Sequence, residues 1–470
     1  MPRRVLLISA NRCTTPDPVF PLGLACLNAA LRQARHETVW LDQLVDADRL
    51  DAVLDSYRPN LVGISVRNID DVLIRTQETF FDDAVSLSAR IRQRTNCPII
   101  VGGSGFSLFP QQLLELIGAD YGICGEGENS LVTLIAALDA GGDVSALPGC
   151  VFRKNGGIVV NPAAVSPQVS TLEELDRPAA LTTHYLQASG TLNLQTQRGC
   201  RFRCCYCTYP LVEGRRHRRR EPEAVAAELA QLQSLGARYV CVVDSIFNSC
   251  PAHVIETCEA ILRRNLKVSW GCFLRPQGLS PELMKLMARA GLTHAEFGSD
   301  SFCDEVLEAY QKDFTFEDIL TSSELARREG VGVCHFIISG GPGETGATLR
   351  ESFGNSQRLS DAVIMAVAGM RIYPGTAIFA RAVAEGQVRP ETDLLRPTYY
   401  FAPGLTEESV RAQLQEFARL PPNWIIGDPP PAYRNLVERL RHRGIVGPLW
   451  GYFSMLQRLG PLVGKGGISA

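Results

Sequence analysis

Two series of short apolar runs, each followed by an amphipathic stretch, limit what this chain can fold into. In residues 1–140 the runs are "VLLISA" (5–10), "ETVWLD" (37–42), "LVGISV" (61–66), "CPIIVGG" (97–103) and the segment that ends in "ADYGICGEGE" (119–128). Between them, "PLGLACLNAALRQARH" (21–36), a stretch across roughly 81–94 and another from Asn129 carry apolar residues at helical spacing, the first of them opening on Pro21. Strands alternating with helices require a parallel sheet with helices on both faces. The expectation is a Rossmann-like, doubly wound domain over 1–140, with its ligand edge beyond the C-terminal strand ends.

The second series begins at "LNLQTQ" (192–197) and continues through "YVCVVDS" (239–245), "KVSWGCF" (267–273), "HAEFGSD" (294–300), "VCHFIIS" (333–339) and "VAGMRIY" (367–373). Six strand–helix units predict a partial barrel over 191–385, with its active residues at the C-terminal strand ends. Residues 141–190, rich in turn signals such as "RKNGG" and "NPAAVSPQ", read as a linker with one short hairpin. From about 386 to 470 the pattern turns helical, as in "TEESVRAQLQEFARL" and "RNLVERLRHRG", and this region is expected to carry or cap the substrate site.

Composition narrows the function classes. The net charge of −3 speaks against nucleic acid as the main partner. The N-terminus does not read as a signal peptide, and no apolar run reaches the length of a membrane span. A cytoplasmic protein is expected, in which the fifteen cysteines stay reduced and disulfides are disfavoured.

The stretch "QRGCRFRCCYC" concentrates those thiols, with Cys200, Cys204 and Cys207 in a C-x3-C-x2-C pattern just after the first strand of the second series. Three thiolates can hold three irons of a [4Fe–4S] cluster and leave the fourth open. The arginines of the stretch would offset the negative charge and favour the deprotonated ligands. A zinc site normally asks for four protein ligands, and no second pair stands at a fitting distance. Cys205 reads as an interrupter facing the other way.

With Tyr206 before the last cysteine, the pattern resembles the signature of the radical S-adenosylmethionine (SAM) superfamily, C-x3-C-x-aromatic-C in a partial (βα)6 barrel. The resemblance implies that the open iron chelates SAM and that one electron from the cluster yields a 5′-deoxyadenosyl radical. It points to Tyr206, to Asp244 and Ser245 in "VVDSIFN", and to Glu296, Gly298 and Ser299 in "EFGSDS" as SAM contacts. It adds Ile338 in "IISGGPGET" and Arg371 in "RIYPGT" to the same set.

The first domain, in this company, resembles the cobalamin-binding domain that precedes many radical SAM enzymes. "VGGSGFSLFP" and "GEGEN" then imply cobalamin contacts at Gly102, Gly103, Gly125, Glu126, Gly127 and Glu128. The D-x-H-x-x-G motif that gives many such domains a cobalt-ligating histidine is missing, the loop after the first strand being "NRCTTPDPVF". Ser65 and Arg67, at the end of the third strand, are placed toward the corrin site instead. A guanidinium stays protonated and cannot ligate a metal, so Arg67 would keep cobalt low-coordinate. The alternative is an ion pair from Arg67 to Asp70 or Asp71.

The family reading implies a cobalamin-dependent radical SAM enzyme, foremost a C-methyltransferase that moves a methyl group from SAM through methylcobalamin to a poorly activated carbon of a natural-product or lipid-type substrate. Two alternatives stand beside it: a radical rearrangement, cyclisation or ring contraction without methyl transfer, and a non-catalytic sensor. A low-potential electron donor such as flavodoxin or ferredoxin is the expected protein partner. The run "GRRHRRREPE" (214–223), with five arginines, reads either as a solvated surface or as a dock for an acidic donor or an anionic substrate group. The stripe Trp450, Tyr452, Phe453 and Met455 reads as packing on the barrel, or else as a cap or a membrane contact.

Overall fold

The computed structural model describes residues 2–14, 17–163, 165, 175–418, 424–427 and 439–452. In its first half β1 (Arg4–Ser9), β2 (Glu37–Asp42), β3 (Leu61–Ser65), β4 (Ile99–Gly102) and β5 (Tyr121–Ile123) run parallel, in the order β2-β1-β3-β4-β5. Helices cover both faces, which is why the strands read as unbroken apolar runs. In β1, Val5 and Leu7 pack with Leu24, Leu31 and Ile135, while Leu6 and Ile8 pack with Phe81, Leu87 and Ile91. The strand order reverses between β1 and β3, so the ligand crevice of this doubly wound sheet lies over the loops that follow those two strands.

Part of the expected linker belongs to that sheet. β6 (Cys150–Lys154) and β7 (Gly157–Val160) add an antiparallel hairpin to β5. The turn between them is Asn155-Gly156, both at positive φ (51° and 79°), the pairing that a tight hairpin with native twist requires. A helix at Ala179–Ser189 then leads into the second half.

There, β8 (Thr191–Leu194) is followed by a small antiparallel ladder of β9 (Gln197–Arg198) and β10 (Arg218–Arg219). β11 (Tyr239–Val242), β12 (Ser269–Leu274), β13 (Leu292–Asp300), β14 (Gly332–Ser339) and β15 (Ala362–Ala368) continue the parallel series. Two corrections to the sequence reading arise here. The sixth strand was placed at 367–373, but it runs over 362–368: Gly369, at φ +83°, ends it, and β16 (Met370–Arg371) pairs instead with β17 (Tyr399–Tyr400). The C-terminal region, expected to be helical, also supplies a seventh parallel strand, β18 (Trp424–Ile426), beside β15. Three apolar residues between prolines are too short a run to show a period.

Alternation along these strands separates the two faces of the partial barrel. Val240, Val242, Trp270, Cys272, Ala295, Phe297, Val333 and Ile337 face the helices. On the inner face the rings of Phe273 and Phe336 stand 6.0 Å apart, and Cys334, Val363, Ile425, Phe336 and Met365 gather round Trp450. Trp450 enters from the described part of the tail and donates from its indole Nε1 to Glu296 at 3.0 Å. Arg441 fastens that segment, reaching Asp17 of the first domain at 2.6 Å and the Gly447 carbonyl at 3.0 Å. Phe453 and Met455, and the first five residues of the expected "RNLVERLRHRG" helix, lie outside the described residues.

The C-terminal edges of the two sheets face one another. Phe20 and Ala25, from the first domain, sit in the core cluster of the barrel, and Asn193 Nδ2 donates to the Phe20 carbonyl at 2.9 Å. Tyr185 donates to Asp42 at 2.9 Å, and Arg371 pairs with Asp70 at 2.9 Å. Both ligand-binding edges therefore open onto one junction. Among the described residues no helix is long and apolar enough to cross a membrane.

Candidate functional site

The cysteine loop is rooted at the top of β8 and β11. Asp244 accepts hydrogen bonds from the amides of Thr196 (2.7 Å) and Gln197 (3.2 Å) and from the Thr196 hydroxyl. Burial pushes its carboxyl up to about 7, against the pull of those donors. Ser245 Oγ donates to the Gly199 carbonyl at 3.0 Å. Gly199, at φ +88°, cannot be another residue: a Cβ there would lie 2.1 Å from the Arg216 carbonyl oxygen. The sequence analysis expects Asp244 at SAM; its hydrogen bonds in this structure go to the root of the loop.

Cys200 is buried, with its amide on the Gly214 carbonyl at 3.0 Å, and Cys204 and Cys207 are half-buried. Burial raises the thiols of Cys200 and Cys207, the latter to about 12, so ionised ligands here require positive charge nearby. That charge does not come from the arginines of the motif. Arg201 and Arg203 are exposed, and Arg198 turns to Glu128 at 2.6 Å. It comes from Lys312 and Arg275, which the sequence reading missed. Burial works against the charge on Lys312, but Asp300 and Cys204 hold its ammonium well above the usual lysine range. Burial lowers Arg275 to about 10; its guanidinium lies 3.8 Å from the Phe202 ring and feels the Cys204 and Cys200 thiols. No spacing signal in the sequence ties Lys312 or Arg275 to the cysteines, because the fold alone brings them there.

Tyr206 donates to Asp300 at 2.6 Å, and Asp300 also pairs with Lys312. Asp300 adopts φ +62°, a conformation that Asp tolerates better than most residues. Cys205 faces away from this group: its sulfur lies 3.8 Å from Met370 Sδ and it belongs to a separate core. Among the described residues no three His, Cys, Asp or Glu side chains converge on a point that one ion could occupy. A mononuclear zinc needs its ligands at about 2.3 Å from a shared centre. A cluster asks for three thiolates, each on its own iron, and the loop supplies three thiols of that chemistry.

The remaining expected SAM contacts divide. Gly298 has open space where a Cβ would stand, and its carbonyl accepts from Lys312 at 3.3 Å. Ile338 is half-buried on the inner face, with its carbonyl accepting from Tyr310 at 2.7 Å. Ser299 is buried on the outer face against His335 Nδ1 at 2.8 Å. Glu296 lies lower on the inner face, held by Trp450, with burial raising its carboxyl. Arg371 is the clearest departure. Its buried guanidinium is filled by Asp70 and by the carbonyls of Ile372 (2.6 Å) and Leu394 (2.8 Å).

In the first domain, Glu126 and Glu128 are likewise engaged, with Arg218 at 2.5 Å and Arg198 at 2.6 Å. The need for glycine at Gly103 is internal, since a Cβ would lie 2.5 Å from the Val66 carbonyl. A Cβ at Gly125 would lie 3.2 Å from Ala163 and one at Gly127 2.8 Å from the end of the Leu27 side chain, while one at Gly102 would meet Ile123 at an ordinary 3.4 Å. The crevice over the loops after β1 and β3 holds the other two expected contacts, Ser65 and Arg67. Ser65 is half-buried at its edge, and Arg67 Nε is buried with no hydrogen-bond partner among the described residues. Asp70 is taken by Arg371, and Asp71 by Thr76 and the Leu73 amide, so neither pairs with Arg67. The neighbours that act on its charge are Cys13, Tyr185, Asp42 and Tyr209. Tyr209 is 42% exposed and Leu211 45%, although burial pushes the Tyr209 hydroxyl up, as for a side chain lining a cleft.

Comparison with known proteins agrees with this layout. Residues 194–354 match the model of the radical SAM superfamily, and residues 9–135 that of the B12 binding domain. A tryptophan 2-C-methyltransferase of Streptomyces laurentii is 26% identical over 450 residues, covering 81% of this chain and 74% of its own. The radical S-adenosylmethionine methyltransferase TsrM from Kitasatospora setae, solved with cobalamin and a [4Fe–4S] cluster bound, superposes with a TM-score of 0.87 at 26% identity, over 98% of this chain and 99% of that one. A second structure of it holds tryptophan substrate and a SAM analogue, with a TM-score of 0.86 at 25% identity over the same shares. An anaerobic magnesium-protoporphyrin IX monomethyl ester cyclase of Rubrivivax gelatinosus is 25% identical over 357 residues, covering 71% of this chain and 61% of its own.

Proposed function

We infer, from a chain that joins a B12-binding domain to a radical SAM domain of the methyltransferase type, that it is a cobalamin-dependent C-methyltransferase of small molecules. The observation that carries the reading is the meeting of the two ligand edges, with the cysteine loop on one side and the crevice of Arg67 on the other. When bound, the cluster would supply single electrons, SAM the methyl group and cobalamin its carrier. Cys200, Cys204 and Cys207 would hold the cluster, with Lys312 and Arg275 offsetting its charge. Arg67, permanently protonated, offers cobalt no ligand. Trp450 and its neighbours close the lower end of the barrel and keep bulk water from the apolar inner face. The reduced thiols fit the cytoplasm, where a low-potential donor such as flavodoxin or ferredoxin would be the electron source.

The substrate is proposed to be a natural-product precursor bound against the inner face lined by Phe273, Phe336 and Met365. L-tryptophan is the first molecule to offer, since a structural relative is named with it as substrate. SAM carrying a trideuterated methyl group should pass the label to a carbon of the product, with one S-adenosylhomocysteine per transfer. An unactivated carbon would add 5′-deoxyadenosine in like amount, and a nucleophilic ring carbon none. The relative named as a cyclase favours a second reading, which 5′-deoxyadenosine without label transfer would support. Neither product from any candidate would return the weight to a sensor.

The unpartnered Arg67 carries its own prediction. The cobalt(II) form of the loaded protein should give an electron paramagnetic resonance spectrum without nitrogen splitting from an axial ligand, and Arg67→Lys should shift that spectrum. Resolved nitrogen splitting would contradict the assignment.

A further inference from the structure

The outer face of the cysteine loop carries positive charge that the described chain does not neutralise. Arg201 and Arg203, between Cys200 and Cys204, are exposed, as are Arg215, Arg216 and Arg219 on the returning turn. None of these five meets a carboxylate among the described residues, whereas Arg198, Arg218 and Arg220 of the same stretch pair inward with Glu128, Glu126 and Glu228. The run of arginines is therefore two surfaces, three residues of the stretch holding the core and five left to solvent. The two segments that bear the five form one backbone unit. The Cys200 amide bonds to the Gly214 carbonyl, β9 pairs with β10, and Gly199 closes against Arg216 with no room for a side chain. In a chain of net charge −3, this is a local concentration built onto the loop that bears the candidate ligands.

We propose that this ridge is the docking surface for an acidic, low-potential one-electron carrier protein. The inference rests on the reading that Cys200, Cys204 and Cys207 hold a cluster. In each encounter the carrier would lose one electron and the cluster would gain it, with no bond made or broken. The guanidinium groups are spread over two segments rather than converging on a pocket, which suits an acidic protein face better than a single small anion. Such a surface steers encounter and is screened by salt.

The test uses the cluster-loaded enzyme and a reduced acidic flavodoxin, with binding followed by calorimetry between low and high salt and reduction of the cluster followed by absorbance. Arg215→Glu/Arg216→Glu/Arg219→Glu should weaken binding and slow reduction by about tenfold or more at low salt, because each reversal replaces attraction by repulsion. Dithionite should reduce both proteins alike. Arg289→Glu/Arg327→Glu, at the helix ends on the opposite rim of the barrel, should change neither quantity. Milder Arg215→Gln/Arg216→Gln should fall between, which guards against a triple variant that loses its cluster. Equal binding and reduction in all variants, or binding indifferent to salt, would overturn the proposal. So would an unchanged flavodoxin affinity accompanied by weaker SAM binding, which would assign the ridge to a small anion. If dithionite fails to reduce even the unaltered protein, the cluster reading is at fault and not the surface.

Discussion

Cys204→Ala should emerge from anaerobic reconstitution with little iron, no brown chromophore and no cleavage of SAM. Three thiolates on three irons leave no spare ligand, so removing one exposes a second iron to solvent. Cys205 cannot step in, because its sulfur is buried against Met370 in a different core and its amide is bonded to the Tyr310 carbonyl at 3.0 Å. Cys205→Ala should accordingly keep both iron and cleavage and lose only a little packing, about 1 kcal/mol. Lys312→Met probes the same centre from its charged side. Without the ammonium, Asp300 would be left in a buried site with Tyr206 as its remaining partner, and the cluster should load poorly while the fold persists. Iron analysis beside far-ultraviolet circular dichroism separates the three variants. Normal iron in Cys204→Ala, or its loss in Cys205→Ala, would mean that the ligand register is wrong.

What the sequence disclosed and what it withheld follow from the range of the signals. Apart from the sixth strand of the barrel, which the reading sets five residues late, the strands of both sheets were legible because burial on both faces leaves continuous apolar runs, and the pattern of Cys200, Cys204 and Cys207 stands out because the three are close in sequence. Trp424–Ile426 was not, since three residues between prolines carry no period, and only pairing with β15 makes them a strand. Lys312 and Arg275 lie far along the chain from the thiols they serve. The same distance hides the partners of Arg371, Asp244, Glu126 and Glu128. Each stands at a strand end where a ligand contact is plausible by resemblance. Their actual partners, Asp70, Thr196, Arg218 and Arg198, come from other elements that only the folded chain brings close. Charged residues at these edges join the two domains, and a motif at a strand end does not distinguish that work from cofactor binding.

The junction itself supplies the second large effect. Asp70→Ala should destabilise the protein by about 3–5 kcal/mol, because it leaves the Arg371 guanidinium buried without its counter-charge. The side chains of Arg371 and Asp70 are only 4% and 0% exposed, so water cannot take over the lost interaction. Asp70 also accepts from the Val72 amide at 3.0 Å, which shapes the loop that carries Arg67 on its other arm. Loosening this loop should therefore weaken cobalamin binding in the same variant, although Asp70 itself is turned to the barrel. Pairing the change with Arg371→Met should restore part of the stability, since two apolar groups avoid the stranded charge. It should not restore the cofactor affinity, because the loop anchor stays lost. Denaturant titration of the cofactor-free single and double variants measures the first effect, and cobalamin titration followed by absorbance the second. If Asp70→Ala costs less than about 1 kcal/mol, the level of an exposed pair, the ion pair is not what joins the crevice loop to the barrel. The orientation of Arg67 must then be set by the packing of Val66 and Ile69 and by the hydrogen bond from Ser104 to the Arg67 carbonyl.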